Sequence, residues 1–314
     1  MNIPARFATF AVFVAVLGHG SAEFVATMPS IKGPELSVWR ILLGGAGLVT
    51  LALLISGPRA LLAPLKTDAW ELTWLSVCGM SGAYFSFHIA MESASIIQVA
   101  TLITTTPIFV GIANLIVNGQ RLTAVKIVTS LFAFVGLVFL ITDGLLEKLI
   151  GGQDSIKGIL LALNSSVLGA FFAVRITPLV TRHGVLSVTA LSLMIAGIGL
   201  WVGVGLIYGI WVAPHTLFDR PAADFSWIIV LAFWNTTISQ FLWLGGLAAS
   251  PDITRASYLF YLKPIIAAAL AIMILNDQIS LLQVFAVIVV TGSVLVEIFW
   301  PRIMTALARG GDHA

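Results

Sequence analysis

The sequence predicts an all-α integral membrane protein with ten transmembrane helices arranged as two inverted five-helix repeats. Three observations favour this fold: an apolar composition, ten long apolar runs and an alignment between the two halves of the chain. Of the 314 residues, 59% are hydrophobic and 10% are charged, whereas a soluble domain carries about 25% charged residues. So few charges cannot cover a water-exposed surface, which excludes soluble enzymes, nucleic-acid-binding proteins and disordered scaffolds.

Ten apolar runs are long enough to cross the hydrocarbon layer of a membrane as helices, which takes about 20 residues. They lie at 7–28, 34–56, 70–91, 94–118, 123–142, 156–180, 185–212, 225–249, 252–275 and 280–300. A membrane β-barrel would instead show alternating segments of about ten residues. His19 and Glu23 interrupt the first run and no cleavage site follows it, so we predict a retained helix rather than a signal peptide.

The connections between the runs are short. The longest predicted loops, 57–69, 143–155 and 213–224, are too small to fold alone. Pro178 is expected to end the sixth run, because proline interrupts helical hydrogen bonding.

Each half of the chain is predicted to form one repeat. The first spans residues 1–147, the second spans residues 155–300, and residues 301–314 form a cytoplasmic tail. The single cysteine, Cys78, excludes an intrachain disulfide and a metal site built from cysteines. We expect no metal and no cofactor.

Basic residues in the loops predict the orientation, since cytoplasmic loops carry an excess of lysine and arginine. With the N-terminus inside, the inner loops hold Arg6, Arg59, Lys66, Arg121, Lys126, Arg182, Arg302 and Arg309. The outer loops hold Lys32, Lys148, Lys157 and Arg220. This imbalance favours an inner-membrane protein with both termini in the cytoplasm.

The two halves of the chain align with each other. Trp70 matches Trp227 and Pro107 matches Pro264 at an offset of 157 residues, and Leu36-Ser37-Val38 matches Leu186-Ser187-Val188 at an offset of 150. Five spans per half is an odd number, so the second half must enter the membrane from the opposite side. This arrangement is typical of secondary transporters with a substrate site between the halves. A duplicated scaffold without transport is the alternative.

The motifs of both halves resemble the EamA-type drug/metabolite transporter superfamily. They are Gly20-Ser21, Pro34 followed by Arg40, the stretches 94–141 and 251–298, and Asn118-Gly119-Gln120-Arg121. Within the superfamily, the chain is most similar to bacterial amino-acid exporters of the YddG type. The resemblance implies two five-helix repeats and export of small metabolites. It also implies that His19 and Lys263, which depart from the usual residues, lie on the substrate path.

Three polar side chains are predicted to share one layer of the membrane, at a rise of about 1.5 Å per helical residue. They are Glu23, Arg40 and His88, and His19 lies one turn from Glu23 on the same helix. We expect Glu23 and Arg40 to form an ion pair near the outer mouth, with His88 beside it. The pair either neutralises two buried charges or takes part in gating or proton coupling through Glu23, Arg40 and His88.

Lys263 is predicted near the middle of the ninth span. Intramembrane charges are usually functional, so we interpret Lys263 as the anchor for a substrate carboxylate or another anionic group. A structural role is the alternative. Pro264, and Pro107 in the other half, are candidate hinges because proline weakens a helix.

Aromatic and hydroxyl side chains complete the predicted substrate site. Besides Lys263 and His19, the candidates are Tyr84, Trp234, Tyr258 and Tyr261, which lie among hydrogen-bonding neighbours. Aromatic walls with a few polar groups suit a small amphipathic solute. For any single aromatic residue, contact with lipid or with the protein core is the alternative.

These observations predict a secondary transporter that exports small metabolites, most readily amino acids, by alternating access. The alternatives are a passive channel or facilitator, a carrier of other anionic metabolites or drugs, and an intramembrane enzyme, for which no paired catalytic residues are evident. The expected partners are the small-molecule substrate and membrane lipid, without nucleic acid, in a monomer or weak homodimer.

Overall fold

The computed structural model describes residues 3–26, 28–94, 99, 102–142, 155–275 and 280–311, and these ranges contain helices and no strand. Six of the described helices are long and apolar enough to cross a membrane. They are Ala5–Ala26, Gly33–Thr67, Ile156–His183, Val185–Tyr208, Ala222–Ala249 and Leu281–Trp300, and the shorter apolar helices are Thr106–Asn118 and Ala124–Leu140. The structure therefore confirms an all-α membrane fold.

The first half contains α1 (Ala8–Ala26), α2 (Gly33–Thr67), α3 (Ala69–Trp74), α4 (Gly82–Ser93), α5 (Thr106–Asn118) and α6 (Ala124–Thr142). The second half contains α7 (Ser155–His183), α8 (Val185–Tyr208), α9 (Ala222–Ala232), α10 (Ser239–Ala249), α11 (Ile253–Ser257), α12 (Lys263–Leu275) and α13 (Leu281–Gly311). Two π-helical segments, Leu75–Ser81 and Phe233–Ile238, join α3 to α4 and α9 to α10. A 3-10 segment, Tyr258–Leu262, joins α11 to α12.

The structure differs from the sequence-based prediction at two places where a helix was expected to end. The predicted loop 57–69 is largely helical: Gly57 leaves the helical conformation within α2, at a φ of 75° that favours glycine, and Asp68 separates α2 from α3. Pro178 lies inside α7, which continues to His183, so the prediction that it ends the sixth span was wrong. The neighbouring side chains of Leu179 and Val180 are buried, and their packing offsets the hydrogen bond that proline removes.

Contacts between helix termini define two ends of the bundle. The N-terminal end, where Ile3 lies beside Gly245, holds the ion pairs Lys126–Asp252, Glu71–Arg175 and Asp68–Arg182. The opposite end holds the ion pair Glu35–Arg220 and the hydrogen bonds from Tyr208 to Glu92 and from Ser30 to Asp224. Each of these contacts joins the first half of the chain to the second.

Helices in matching places of the two halves make matching contacts. α2 packs on α8, and α6 packs on α13. The other contacts are exchanged between the halves, since α1 packs on α10 and α12, while α7 packs on α4 and α5. Likewise, Leu75–Ser81 contacts α7 and α8, and Phe233–Ile238 contacts α1 and α2. The π-helical segments therefore occupy matching positions, at an offset of about 157 residues.

Small residues bring α2 and α8 close together. A Cβ atom added to Gly45 would lie 2.9 Å from the Cα and N atoms of Met194, and one added to Gly197 would lie 3.2 Å from the backbone N of Leu42. Close backbone approach at small residues is the usual way in which membrane helices gain packing contacts. This contact joins the two halves at the centre of the bundle.

Candidate functional site

Arg40 of α2 reaches the second π-helical segment. Its Nε donates to Thr236 Oγ1 over 2.8 Å, and its Nη2 donates to the Asn235 carbonyl oxygen over 3.3 Å. π-Helical turns insert one residue into a helix and are frequent at functional sites. This segment of the second half thus supplies hydrogen-bond acceptors to Arg40, a cation of the first half.

α1 contacts the same segment through polar groups. Asn235 Nδ2 donates to the Gly18 carbonyl oxygen over 2.6 Å and to Ser21 Oγ over 2.9 Å, and Trp234 Nε1 donates to Ser21 Oγ over 3.1 Å. We call the site formed by Gly18, Ser21, Arg40, Trp234, Asn235 and Thr236 the polar crossing. It joins three helices from both halves.

The matching contact in the other half is less polar. There, the π-helical residues aligned with Trp234, Asn235 and Thr236 are Val77, Cys78 and Gly79. Gly79 packs against Phe172 of α7, and Cys78 is exposed. Polar side chains and a cation are thus concentrated at one of two otherwise equivalent positions.

An aromatic cluster extends from the polar crossing along α1. The His19 ring lies 6.2 Å from the Trp243 ring and 6.1 Å from the Phe260 ring, and Trp243 and Phe260 are 5.3 Å apart. Lys263 Nζ lies 5.7 Å from the centre of the Phe260 ring. Two of the predicted site residues, His19 and Lys263, therefore both lie beside the Phe260 ring.

Tyr84 and His88 of α4 lie on another side of Arg40. The Arg40 guanidinium is 5.9 Å from the Tyr84 ring, and the His88 imidazole, one turn further along α4, is buried. Among the described residues, His88 Nε2 has no hydrogen-bond partner. Arg40 thus belongs to the polar crossing and also contacts Tyr84, another predicted site residue.

The predicted Glu23–Arg40 ion pair stays a prediction. Glu23 belongs to α1, but its side chain lies outside the described part of the structure. The described partners of Arg40 are Thr236 and the Asn235 carbonyl.

Tyr258 and Tyr261 face away from the aromatic cluster. Tyr258 accepts from Ser130 Oγ and donates to the Lys126 carbonyl oxygen, both over 2.7 Å, and its ring is 5.7 Å from that of Tyr261. In a 3-10 segment, residues three apart lie on one side, so Tyr258 and Tyr261 face α6 while Phe260 and Lys263 face α1. The structure does not bring all the predicted aromatic residues together.

Pro107 and Pro264 lie at helix beginnings. Pro107 is in the first turn of α5, and Pro264 is the second residue of α12. Proline is well tolerated in the first turn, where its missing N–H would have no intrahelical partner. As candidate hinges, the two prolines therefore lie where the chain enters an α-helix, and not in the middle of one.

Comparison with known proteins identifies the family. The EamA-like transporter family matches residues 6–142 and 156–299. The chain belongs to this family.

Its relatives include "Uncharacterized transporter YyaM" of Bacillus subtilis (strain 168), which is 23% identical over 261 residues, or 82% of this chain and 81% of the relative. An "Uncharacterized transporter" of Clostridium kluyveri is 23% identical over 240 residues, or 74% of each chain. A crystal structure that is 17% identical matches with a TM-score of 0.79 over 95% of this chain and 98% of the other, which supports the fold. The family and its relatives assign this EamA-like chain to membrane transport rather than to catalysis.

A buried ionic network that was not predicted from the sequence lies at the N-terminal end of this EamA-like transporter. Lys126 Nζ lies 2.7 Å from Asp252 Oδ2, and Arg255 Nε lies 3.1 Å from Glu297 Oε1. Thr129 Oγ1 donates to the other oxygen of Glu297 over 3.4 Å. The Glu297 side chain is fully buried. The signal available in the sequence is that two basic residues, Lys126 and Arg255, and two acidic residues, Asp252 and Glu297, lie near the ends of predicted spans.

Proposed function

We propose that this EamA-like protein is a secondary transporter that exports small metabolites, with amino acids as the first candidates, across the bacterial inner membrane by alternating access. The proposal includes two inverted repeats, both termini in the cytoplasm and a substrate site at the polar crossing and the adjoining aromatic cluster. It retains the similarity to exporters of the YddG type as its basis for the direction of transport.

The exchange of contacts between the halves supports inverted repeats. α1 of the first half packs on helices of the second half, and α7 of the second half packs on helices of the first. Each π-helical segment likewise contacts helices of the other half. The family match also covers two separate stretches, one in each half. An inverted pair of repeats provides two equivalent arrangements of the same helices, one open to each side.

The main support for the proposed substrate site is that polar groups are concentrated at one of two equivalent positions. A purely structural contact gives no reason for polar groups and a cation at only one of two matching positions. Arg40 and Lys263 bring positive charge to the two ends of this region. Aromatic rings between them provide apolar contact for a small solute.

The charges favour a solute with an anionic group. Lys263 and Arg40 are the candidates to bind a carboxylate, since hydrogen bonds between charged groups are stronger than neutral ones. His19, Tyr84 and Trp234 are the candidates for contact with the rest of the solute. Glu23 and His88 are the candidates for gating or proton coupling.

Transport by purified protein in proteoliposomes tests the proposal. A panel of labelled amino acids is offered with and without a pH gradient, and counterflow separates a carrier from a channel. We expect saturable exchange that falls at least tenfold in Lys263→Ala, while Cys78→Ala, at the exposed matching position, transports normally. If no amino acid moves or competes, the substrate class is wrong, and flux without counterflow would show a channel.

A further inference from the structure

One atom of the polar crossing lacks a hydrogen-bond partner. Asn235 is fully buried, and its Oδ1 accepts no hydrogen bond from any described residue. The orientation of the amide is fixed, because its Nδ2 lies 2.6 Å from the Gly18 carbonyl oxygen, which can only accept. Rotating the amide by 180° would bring two oxygens together, so Oδ1 points away from α1.

The surrounding groups already have partners. Ser21 Oγ donates to the Gly18 carbonyl and accepts from Trp234 and Asn235. Thr236 Oγ1 accepts from Arg40 and donates to the Leu231 carbonyl. A buried acceptor without a donor is unfavourable, because it has given up its hydrogen bonds with water, and such groups call for a specific explanation in a native structure.

We propose that Asn235 Oδ1 determines specificity by accepting a hydrogen bond from the transported solute. The inference rests on the proposed function and narrows its substrate to solutes that carry both an anionic group and an N–H or O–H donor, as amino acids do. Arg40 of α2, which contacts Thr236 and the Asn235 carbonyl, holds the anionic group, and Asn235 selects the donor.

Paired solutes test this assignment. Binding to the purified transporter is compared for an amino acid and its N-trimethylated analogue, in the wild type and in Asn235→Leu, which has a similar shape without the acceptor. We expect the wild type to prefer the amino acid by roughly tenfold, the effect of one hydrogen bond to a buried group. We expect Asn235→Leu to lose that preference. Ser76→Ala removes a hydroxyl of the other π-helical segment, outside the polar crossing, that donates to the Leu72 carbonyl, so it should retain the preference.

The possible outcomes distinguish the role of Asn235 from the proposed transport function. An equal preference in the wild type and in Asn235→Leu would overturn the role of Asn235 and leave the transport proposal intact. Absence of binding of any amino acid to the wild type would overturn the proposed substrate and this inference with it. If Asn235→Leu does not fold, loss of the preference in Asn235→Ala supports the role, and an unchanged preference overturns it.

The two ends of the bundle differ in a second, independent way. The ionic network at the N-terminal end is buried, with the Lys126 and Asp252 side chains 4% and 14% exposed. At an offset of 157 residues, Lys126 aligns with Gln283 and Glu297 aligns with Leu140. At the opposite end, Gln283 Nε2 donates to the Leu140 carbonyl oxygen over 3.2 Å. Among the described residues, the ion pair between the halves at that end, Glu35–Arg220, is more exposed, with side chains 33% and 20% exposed.

The geometry points to Lys126–Asp252 as a lock that makes the N-terminal end the harder of the two to open. Separating a buried ion pair is costly, because it leaves two charges in a low dielectric. Among the described residues, Glu71–Arg175 at the same end and Glu35–Arg220 at the opposite end are more exposed, and exposed pairs contribute little. The resting transporter is therefore open more often at the end opposite to the lock.

Cysteine labelling tests the lock. In a Cys78→Ala background, Ser257→Cys places a thiol at a fully buried position of α11, near the network. We expect Asp252→Asn to raise labelling by a membrane-impermeant maleimide from the N-terminal side at least tenfold. The exchanged pair, Lys126→Asp with Asp252→Lys, should restore slow labelling. Glu71→Gln, which breaks a more exposed ion pair at the same end, is the control and should leave the rate nearly unchanged.

Two results would overturn the lock. One is the same labelling rate in Asp252→Asn and its parent, and the other is an equal increase in Glu71→Gln. If Asp252→Asn does not fold, the exchanged pair decides, because failure of that variant to fold or to label slowly contradicts a lock formed by the two charges.

Discussion

A single arginine illustrates how this chain holds a charge inside an apolar bundle. A charged residue at the centre of a membrane helix costs at least about 2.5 kcal/mol. Arg40 offsets this cost by donating to Thr236 Oγ1 and to the Asn235 carbonyl. Both acceptors come from the other half of the chain, so the position of Arg40 depends on the contact between the halves.

Removing one acceptor of Arg40 is expected to destabilise the protein. Thr236→Val keeps the shape but leaves Arg40 Nε without its described acceptor, so we expect a loss of about 1–3 kcal/mol. Thermal unfolding in detergent measures it. The control is Thr177→Val, because Thr177 Oγ1 donates to the Ala173 carbonyl within its own helix. Equal stability of the two variants would contradict the role given to Thr236.

Asp68 provides a pH-dependent contact outside the membrane. Hydrogen bonds from His183, Thr67 and Arg182 lower the pKa of Asp68 from 3.8 to about 2. A carboxyl group whose pKa is lowered by folding stabilises the fold above its unfolded pKa and loses that contribution as the pH falls through its folded pKa. The contribution of Asp68 is therefore present above about pH 4 and is lost towards pH 2.

We expect Asp68→Asn to unfold at a lower temperature than the wild type at neutral pH. The difference should shrink as the pH falls from about 4 to about 2, because Asp68 itself becomes neutral there. Thermal unfolding at a series of pH values measures this. A difference that stays constant down to pH 2 would show that the charge of Asp68 is unimportant.

At the scale of elements, glycines in α2 allow the two halves to meet. A Cβ atom on Gly45 would lie 2.9 Å from backbone atoms of Met194, which cannot rotate away. Gly169 in α7 has no atom within 4 Å of the same added Cβ. We therefore expect glycine-to-alanine substitution to have opposite effects on stability at these two helical positions.

We expect Gly45→Ala to destabilise the bundle by about 1–3 kcal/mol, as other overpacked substitutions do. Gly169→Ala should be neutral or slightly stabilising, because alanine favours a helix more than glycine does. Thermal unfolding of both variants in one detergent makes the comparison. Similar stability of the two variants would mean that α2 and α8 can move apart at no cost.

Local signals explain which elements were predictable. Long apolar runs and the pairs Trp70–Trp227 and Pro107–Pro264 indicated the helices and the relation between the halves. The π-helical segments were not predicted, because their residues have no distinctive pattern and the extra residue is accommodated by packing. The burial of Glu297 was missed because its partner Arg255 lies in another helix.

The candidate site was predictable only in part for the same reason. Arg40, His19 and Lys263 are polar residues in apolar runs, and each can be found from the sequence alone. In the sequence, Asn235 is one of several polar residues in its apolar run. What distinguishes it is a contact with α1 in the other half, and no single apolar run contains that information.

At the scale of the whole molecule, contacts between the halves occur at both ends of the bundle. The ion pairs Lys126–Asp252 and Glu35–Arg220 lie at opposite ends. A transporter that alternates between two open states must separate one set of contacts while it keeps the other. Both sets are formed together here, and the proposed cycle breaks them in turn.

The proposed orientation predicts which positions are accessible from each side. In a Cys78→Ala background, Lys66→Cys reports the N-terminal end and Asp219→Cys reports the opposite end, and both residues are exposed. With both termini in the cytoplasm, intact cells should label Asp219→Cys with a membrane-impermeant maleimide but label Lys66→Cys only after permeabilisation. Because Asp219 follows α8 in the second half and Lys66 ends α2 in the first, these matching positions should face opposite sides. Labelling of both from one side would contradict the inverted repeat, whereas the reverse pattern would keep the repeat and invert the orientation.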